Sequence, residues 1–319
     1  MDTATVRNDI RVTVIVPFHN AELTIGTTAR SLFEQTLQDL EIIFVNDGSL
    51  DRGFDIINDM LVRYPDRIDT TSILFYTFNR GTAAAYDTGL AHASGKYVIT
   101  ARPGDYLEAH ALRIMADKAA ETDADIVWCE HYTGHTGRNK RVRISRGAPD
   151  INRMRIDYGA YSMHNKLIRR DMLLNNGIAA TKGVNSWKDI CVVSKTLSLQ
   201  PDVAFIKTPL YHHDVPDQTP GDYECRDYLT TTLILEQWFI EAYPDNRFQP
   251  FLNNLKFTAK SYYLCGKNKE IGLWKATFPE INGRICSISA LSWRKRWLYS
   301  AICWSPEWLA KIIARLFIK

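Results

Sequence analysis

Two polar residues, Asn20 and Asp47, each follow an apolar, β-branched run of the sequence within a few positions. The first run (residues 12–16) is followed by Pro17, and the second (residues 41–45) by the turn sequence NDGS. Runs bounded in this way and followed by helical patterns predict buried parallel strands that lead into helices. Ligands of such sheets bind outside the carboxyl ends of the strands. We therefore expect Asn20 and Asp47 to hold a ligand.

Strand and helix patterns alternate over roughly the first 130 residues. Strand patterns cover residues 12–16, 41–45, 73–78, 97–100 and 126–131, and helical patterns cover 24–36, 51–64, 82–93 and 109–122. This alternation predicts an α/β fold with a mostly parallel sheet, flanking helices and right-handed crossovers.

Beyond Tyr223 the pattern is helical and aromatic. Three turn-forming residues, Pro216, Pro220 and Gly221, precede it and predict a boundary near residue 220. We expect one α/β domain over residues 1–220 and a helical extension over 221–319.

Composition is that of an ordinary globular enzyme, with 45% hydrophobic and 24% charged residues among 319. The net charge of +3 argues against a nucleic-acid partner. Six scattered cysteines fit reduced thiols better than a zinc site or a disulfide framework. No secretory signal precedes Ile10, and no apolar run reaches the roughly 18 residues of a spanning helix. These features predict a cytoplasmic protein.

Four segments, VTVIVPFHNAE, VNDGSLD, NRGTAAAYDTGLAHASGKYV and HNKLIRRDMLLNNGI, occur in this order. Together they resemble family 2 glycosyltransferases of the GT-A fold over roughly residues 11–213. The resemblance implies a Rossmann-like sheet with strand order 3-2-1-4. That order would bring the loops of Asn20, Asp47 and Asp105 into one crevice.

The resemblance also implies a reaction. Family members transfer a sugar from a nucleoside-diphosphate sugar to a hydroxyl group, and we expect the inverting kind, with a UDP-sugar favoured as donor. The acceptor would be a glycan or lipid-linked molecule in surface polysaccharide assembly. The alternative is a catalytically impaired pseudotransferase that binds or scaffolds an active partner.

The residues expected to bind the nucleotide-sugar come first from the two strand ends: Pro17, Asn20, Glu22 and Asp47. By resemblance, Asp47 contacts the nucleotide, although NDGS would also form an Asx-turn anywhere. Glu22 is a donor contact or a carboxylate in the first turn of the following helix.

The end of the fourth strand departs from the family. Members carry an Asp-any-Asp-Asp run there, whereas this chain has Arg102, Pro103, Gly104 and Asp105. The family implies a Mn²⁺ or Mg²⁺ ion, but Gly104 has no side-chain oxygen for it. Asp105 and His213 are the remaining metal candidates, and the metal stays unassigned. Arg102 either neutralises the leaving diphosphate without a metal or is a surface residue.

The segment that carries His213 shows a short strand pattern over residues 203–206 and a turn at Pro209. Adjacent side chains of an extended segment point to opposite faces, so at most one of His212 and His213 can reach the site.

Asp189 is the candidate catalytic base. Family members have a Glu-Asp pair at this helix start, and its Asp deprotonates the acceptor; here Lys188 replaces the Glu. The pattern from Ser186 to Asp189 is also that of a capping box, so Asp189 could cap its own helix instead. The two roles are compatible.

The last segment is basic and rich in tryptophan. Ser305 and Pro306 predict a helix start, with Ser305 as the N-cap. The helix would carry Trp308, Ile312 and Leu316 on one side. A basic amphipathic helix with tryptophans is typical of an interfacial membrane segment. We therefore expect peripheral contact with the inner face of the cell membrane; the alternative is a helix that docks on the protein's own core. A second basic run, from Arg138 to Arg146, is interpreted as a solvated loop or hairpin.

Overall fold

The structure, a computed structural model, describes residues 10–134, 140–142, 149–180, 187–214, 222–264 and 269–318. Nine strands are found there. They are β1 (Val12–Phe18), β2 (Leu40–Asp47), β3 (Thr71–Tyr76), β4 (Tyr97–Thr100), β5 (Tyr106–Leu107), β6 (Ile126–Gly134), β7 (Lys140–Val142), β8 (Lys166–Arg169) and β9 (Val203–Asp214).

The helices of the described part fall between and after these strands. They are α1 (Ile25–Phe33), α2 (Gly53–Leu61), α3 (Pro65–Ile68), α4 (Thr82–His92), α5 (Ala111–Thr122), α6 (Tyr158–Tyr161), α7 (Arg170–Asn175), α8 (Lys188–Ser198), α9 (Asp222–Ala242), α10 (Gln249–Ser261), α11 (Ile271–Ala276), α12 (Trp293–Trp304) and α13 (Glu307–Phe317). Two 3₁₀ segments, Tyr262–Leu264 and Pro279–Ser287, accompany them.

All the strands belong to one mixed sheet of order β3-β2-β1-β4-β8-β6-β9-β5, with β7 paired to β6. The first four strands are parallel, as the predicted 3-2-1-4 order requires. Antiparallel pairing begins between β4 and β8. The predicted α/β fold of the GT-A type, with a helical region after it, is confirmed.

The centre of the sheet is buried because helices cover both faces of β1. All seven residues of β1 are buried. On one face, α1 packs Ile25, Ala29 and Leu32 into the core. On the other, Gly89 of α4 lies so close to β1 that an added Cβ would collide with Ile15. A continuous apolar strand is what burial on two faces demands.

Two strand ends differ from the sequence-based expectation. Pro17 does not end β1, which continues through Phe18 in register with Asn46. A short strand over residues 203–206 and a turn at Pro209 were predicted, but β9 runs on to Asp214. Register shifts next to Glu130 absorb Pro209, which pairs with that residue. Proline is tolerated at such irregularities because they leave its missing N–H without a ladder partner.

The chain forms two compact units. The first comprises Met1–Ala148 and Tyr161–Gln218, and the second comprises Pro149–Ala160 and Thr219–Lys319. The predicted division at residue 220 stays a prediction, since Pro216, Pro220 and Gly221 lie outside the described residues.

The second unit has its own core, in which Leu264, Trp274, Ile281 and Ile302 are fully buried. Within the described ranges, no helix has both the length and the apolar character that crossing a bilayer requires. Ser305 does not cap α13, because it ends α12 and its hydroxyl donates to Ala301 O. Pro306 takes the N-cap position of α13 instead.

Candidate active site

Asp47, at the end of β2, is buried, and its carboxylate is bound to the backbone that opens α4. Oδ1 accepts the N–H of Arg80 at 2.7 Å, and Oδ2 accepts the N–H of Gly81 at 2.9 Å. The Asx-turn of the NDGS segment is made by Asn46, whose Oδ1 accepts the N–H of Ser49 at 2.8 Å. Asp47 therefore does not form the turn. Its carboxylate instead joins the end of β2 to the start of α4.

Asn20 and Glu22 join the loop after β1 to the loop after β2. Asn20, at φ 47°, accepts the N–H of Leu50 at 2.9 Å through its side chain. Glu22 accepts the N–H of Arg52 at 3.3 Å. Glu22 precedes α1 and is not in the first turn of that helix, so the helix-dipole interpretation was wrong. Both residues lie just past the end of β1, and both bond to the loop that follows Asp47 at the end of β2.

The loop that departs from the family, residues 102–105, is fixed by one hydroxyl group from α1. Thr28 Oγ1 lies 2.9 Å from Arg102 O and 2.7 Å from Asp105 O. The same oxygen accepts the N–H of Gly104 at 3.0 Å. Gly104 itself has φ +97°, a conformation that side chains rarely adopt.

Asp105 is 1% exposed and points into the protein toward β9. Its Oδ2 accepts the hydroxyl of Tyr211 at 2.5 Å, and its Oδ1 accepts the N–H of Asp214 at 3.0 Å. His213 Nδ1 lies 3.2 Å from both oxygens. Burial acts to raise the pKa of Asp105, but the hydrogen bond and charge of His213 outweigh it and lower the pKa. Asp105 is therefore an anion held by internal partners.

These residues do not fit the family's divalent cation. The oxygens of Asp105 are engaged by three internal partners, and His213 faces that carboxylate. Gly104 could not present a carboxylate without changing its backbone, because φ +97° disfavours any residue with a Cβ. No group of three or more His, Cys, Asp or Glu residues suited to a metal is found among the described residues.

The two adjacent histidines of β9 contact partners on opposite faces of the strand, because successive side chains of a strand point to opposite faces. His213 meets Asp105, whereas His212 Nε2 lies 2.6 Å from Glu108 Oε1. The ring of His212 also stacks on Tyr106 at 4.1 Å between centroids. The expectation that only one of the pair reaches the site agrees with this geometry.

Asp189, in the first turn of α8, makes three contacts through its carboxylate. Lys188 Nζ donates to Oδ1 at 2.6 Å, and the N–H of Met163 donates to Oδ2 at 3.1 Å. His164 Nε2 lies 3.5 Å from Oδ2. Helix α8 begins after Trp187 without a side-chain cap. Ser186, the other half of the predicted capping box, lies outside the described residues.

The surroundings of Asp189 keep its carboxylate ionised. Burial acts to raise its pKa, but the charge and hydrogen bond of Lys188 and the N–H of Met163 outweigh burial and lower the pKa well below the ordinary value. Burial lowers the pKa of His164 to about 4, so that imidazole is neutral at pH 7. Its Nδ1 lies 2.8 Å from Thr100 Oγ1 at the end of β4.

His164 links the two carboxylates of the site. Its ring stacks on Tyr211 at 5.7 Å, and Tyr211 donates to Asp105. The charges of Asp189, Lys188, Asp105 and Arg102 all act on the pKa of His164. The structure thus places Asp189 beside this buried ring, and Asp105 on the far side of the tyrosine that stacks on it. No role was predicted for His164, Tyr211 or Thr28, although His164 begins the segment HNKLIRRDMLLNNGI.

The basic run contributes little to this site in the described residues. Lys140 and Arg141 lie on β7, which forms a hairpin with β6. Arg141 Nε donates to Glu130 at 2.6 Å. Arg138, Arg143 and Arg146 lie outside the described residues.

Strand order, strand-end loops and the buried carboxylates define a glycosyltransferase-like GT-A fold. The chain belongs to the family described as "Glycosyl transferase family 2", whose model matches residues 13–177, just over half of the chain. The resemblance seen in the sequence motifs is confirmed.

Curated relatives agree with this membership. The chain is 28% identical over 218 residues to the cholesterol galactosyltransferase of Borreliella burgdorferi, an alignment covering 63% of this chain and 59% of that protein. It is 30% identical over 188 residues to the uncharacterized glycosyltransferase YibD of Escherichia coli, covering 55% and 53%. The chain thus spans less than two thirds of the lengths of these relatives.

Solved structures share the fold. TarS of S. aureus in complex with UDP superposes with a TM-score of 0.67 at 19% identity, covering 95% of this chain and 88% of that one. The mannosyltransferase PcManGT of Pyrobaculum calidifontis, in complex with GDP-Man and Mn²⁺, gives 0.54 at 19% identity, covering 97% and 86%.

Two buried histidines should make the protein sensitive to mild acid. Burial lowers the pKa values of His131 and His164 to about 4, whereas in the unfolded chain they return to about 6.5. Between these values the unfolded state binds more protons, so stability falls as pH falls. We expect a loss of about 2 kcal/mol per histidine between pH 7.5 and pH 5.

Urea unfolding at the two pH values measures this loss. In a His131→Gln variant the difference between the free energies of unfolding at pH 7.5 and pH 5 should be smaller by about 2 kcal/mol, the contribution of one histidine. An exposed histidine, His92, provides the control: His92→Gln should leave the difference unchanged. Equal stability at both pH values would contradict the prediction.

Proposed function

We propose that the chain is an inverting glycosyltransferase that uses a nucleoside-diphosphate sugar. The observation that carries the proposal is Asp189, a carboxylate in the first turn of α8 that is held by Lys188 Nζ and the N–H of Met163 and lies 3.5 Å from His164 Nε2. A general base must be ionised and must stand beside the reacting groups. The family supplies the reaction class, since its members are named for glycosyl transfer.

The reaction is a single displacement. Asp189 takes the proton of the acceptor hydroxyl, and the oxygen attacks the anomeric carbon on the face opposite the diphosphate. The bond between that carbon and the diphosphate oxygen breaks as the new carbon–oxygen bond forms, so the configuration inverts. The diphosphate leaves with the electron pair, and the guanidinium of Arg102 neutralises its charge. No step needs a metal ion.

A UDP-sugar is the favoured donor. TarS, which shares the fold, has been solved with UDP and with UDP-GlcNAc. A thermal-shift panel of UDP-, GDP- and dTDP-sugars, with and without Mn²⁺, tests the proposal. Stabilisation by one class without Mn²⁺ supports it, and stabilisation by none contradicts it.

Asp47 should dominate nucleotide affinity. It would receive the nucleotide at the end of β2, and losing a charge-assisted hydrogen bond costs about 1.5–3 kcal/mol, or roughly tenfold to a hundredfold in affinity. Asp47→Ala should weaken UDP binding by that factor in isothermal titration calorimetry.

Because Asp47 also holds the start of α4, a second variant separates binding from folding. Asn46→Ala removes the neighbouring turn bond to Ser49 without touching that carboxylate. It should lower the melting temperature and leave UDP affinity nearly unchanged. Equal weakening by both variants would mean that Asp47 acts only through loop structure.

One observation favours the alternative of a scaffolding pseudotransferase. At the position of the family's metal-binding Asp stands Gly104, whose backbone at φ +97° is suited to glycine alone. In a pseudotransferase, a donor could still bind, but no sugar transfer or donor hydrolysis would follow in the presence of any acceptor. Release of UDP from a bound donor therefore separates the two functions.

The acceptor belongs to the same proposal. We infer a hydroxyl of a glycan or lipid-linked molecule in surface polysaccharide assembly, at the inner face of the cell membrane. A lipid-linked acceptor would require the protein to work beside a bilayer. Transfer of radiolabelled sugar to a lipid extract, compared with transfer to free oligosaccharides, distinguishes the two acceptor classes.

A further inference from the structure

The second unit exposes a row of tryptophans on α12. Trp293, Trp297 and Trp304 are 70%, 76% and 76% exposed. At 100° per residue, their spacing places them within about 40° of one another around the helix. Large aromatic side chains are rarely left in water in this number, and exposed apolar patches mark interaction sites.

Helix α13 adds a second apolar row after a short junction. Trp308 and Leu316 are 66% and 70% exposed, and Ile312 is 48% exposed. At 100° per residue these three lie within about 80° of one another around the helix. Trp308 follows Trp304 by four residues. We call these exposed apolar residues of both helices the aromatic surface: Trp293, Trp297, Trp304, Trp308, Ile312 and Leu316.

The opposite sides of these helices are already used. In α13, Ala310 and Ala314 are fully buried and Ile313 packs on the core of the second unit. In α12, Ile302 is fully buried and Leu298 and Tyr299 pack beside it. One side of each helix thus packs on the core of the second unit, which was the alternative expected for this tail. The aromatic surface is what remains after docking.

Positive charge accompanies the aromatic surface. Residues 292–319 contain six Lys or Arg and one Glu, whereas the entire chain has an excess of only three positive charges. Residues 1–291 are therefore net negative. Arg294 and Lys295 are exposed at the start of α12, and the guanidinium of Arg294 lies 5.4 Å from the ring of Trp293. Arg315 is exposed near the end of α13.

We propose that the aromatic surface docks onto the headgroup region of an anionic lipid bilayer. Tryptophan favours this region because its ring is apolar while its N–H stays hydrated. Lysines and arginines nearby bind the negative lipid surface. An apolar protein partner would match the indoles but would give no reason for the charge excess. The proposal stands independently of sugar transfer, since it concerns only residues of the second unit.

Vesicle sedimentation of the full chain tests it. Binding to vesicles that mix phosphatidylglycerol with phosphatidylcholine should exceed binding to pure phosphatidylcholine, and salt should weaken it. Replacing Trp297 and Trp304 together by Ala should lower the partition coefficient by about tenfold or more. Replacing Arg294 and Lys295 by Gln should lower it by about fivefold per cation.

The matched control replaces Leu233 and Leu273, exposed apolar residues of α9 and α11 in the same unit. Changing both to Ala should leave vesicle binding intact. Point variants are preferred to truncation after Leu291, because truncation would remove Ile302, Ala310 and Ala314 from the core. Melting temperatures should stay unchanged in all three variants.

Three results would overturn the proposal. One is absence of binding to either vesicle type. Another is equal binding by the control and the tryptophan variant. The third is a concentration-dependent dimer that the tryptophan variant abolishes, seen by light scattering without lipid, since the surface would then belong to a second copy of the chain.

Discussion

Replacing Asp189 by Asn should lower kcat by roughly 10²–10⁴-fold, the usual contribution of a general base. Asparagine keeps the shape of the side chain, and its oxygen can still accept the N–H of Met163. It cannot take a proton at neutral pH. UDP binding should therefore be unchanged, because the change acts on the acceptor's proton and not on the donor. Steady-state kinetics and calorimetry on the same preparation measure the two quantities.

A second carboxylate distinguishes chemistry from stability. Asp125, at the start of β6, accepts Arg169 Nε at 3.0 Å and the N–H of Asp202 at 3.0 Å. Asp125→Asn loses the ion pair with Arg169, as Asp189→Asn loses the ion pair with Lys188. Asp125 lies just before the first residue of β6, at the opposite end of that strand from Gly134. It should lower the melting temperature and leave kcat nearly unaffected. If Asp189→Asn behaved like Asp125→Asn, Asp189 would be structural only.

Arg102→Ala should lower kcat by roughly 10²–10³-fold, the cost of removing one preorganised donor that stabilises transition-state charge. The position of Arg102 in the loop after β4 motivates this role, because its backbone N–H lies 3.4 Å from the Tyr211 hydroxyl that binds Asp105. Turnover of the native protein should survive EDTA. Arg102→Lys should recover only part of the rate, since an ammonium lacks the planar two-donor geometry of guanidinium.

An exposed arginine on α5 serves as the control. Arg113→Ala removes the same charge from the surface and should leave kcat unchanged. Strict dependence of the native enzyme on Mn²⁺ would contradict the assignment of Arg102. Adding carboxylates at positions 102 and 104 should not by itself create a metal site, because the backbone of Gly104 at φ +97° resists any side chain.

The parallel half of the sheet could be predicted from sequence because its signals are local. Apolar runs, turn residues and helical periodicity each occupy a few consecutive positions, and β4 was predicted at its observed bounds, Tyr97–Thr100. The placement of Asn20 and Asp47 at one edge then follows from parallel strand order. Pro17 and Pro209 misled the prediction, since local rules treat proline as a strand end although neighbouring strands can absorb it.

The partners within the site could not be predicted in the same way. Thr28 meets the loop of Gly104 across 76 residues, and Tyr211 meets Asp105 across 106. Nothing local in the chain distinguishes that threonine from its neighbour Thr27. The contact between Asp189 and His164 likewise forms only when β8 and α8 are both in place. Such contacts are products of tertiary packing.

The order in which the two units can be completed during synthesis follows from the placement of residues 149–160. This segment emerges before β8, α8 and β9, yet its partners come from the second unit. Asn152 bonds to Arg247 O, to the N–H of Phe251 and to Ser289 Oγ. A ribosome-bound chain ending near residue 220 would hold every strand of the sheet while this segment still lacked those bonds. The helical unit can therefore be completed only after the last hundred residues are synthesised. Those residues must then pack against a segment, residues 149–160, that was synthesised well before them.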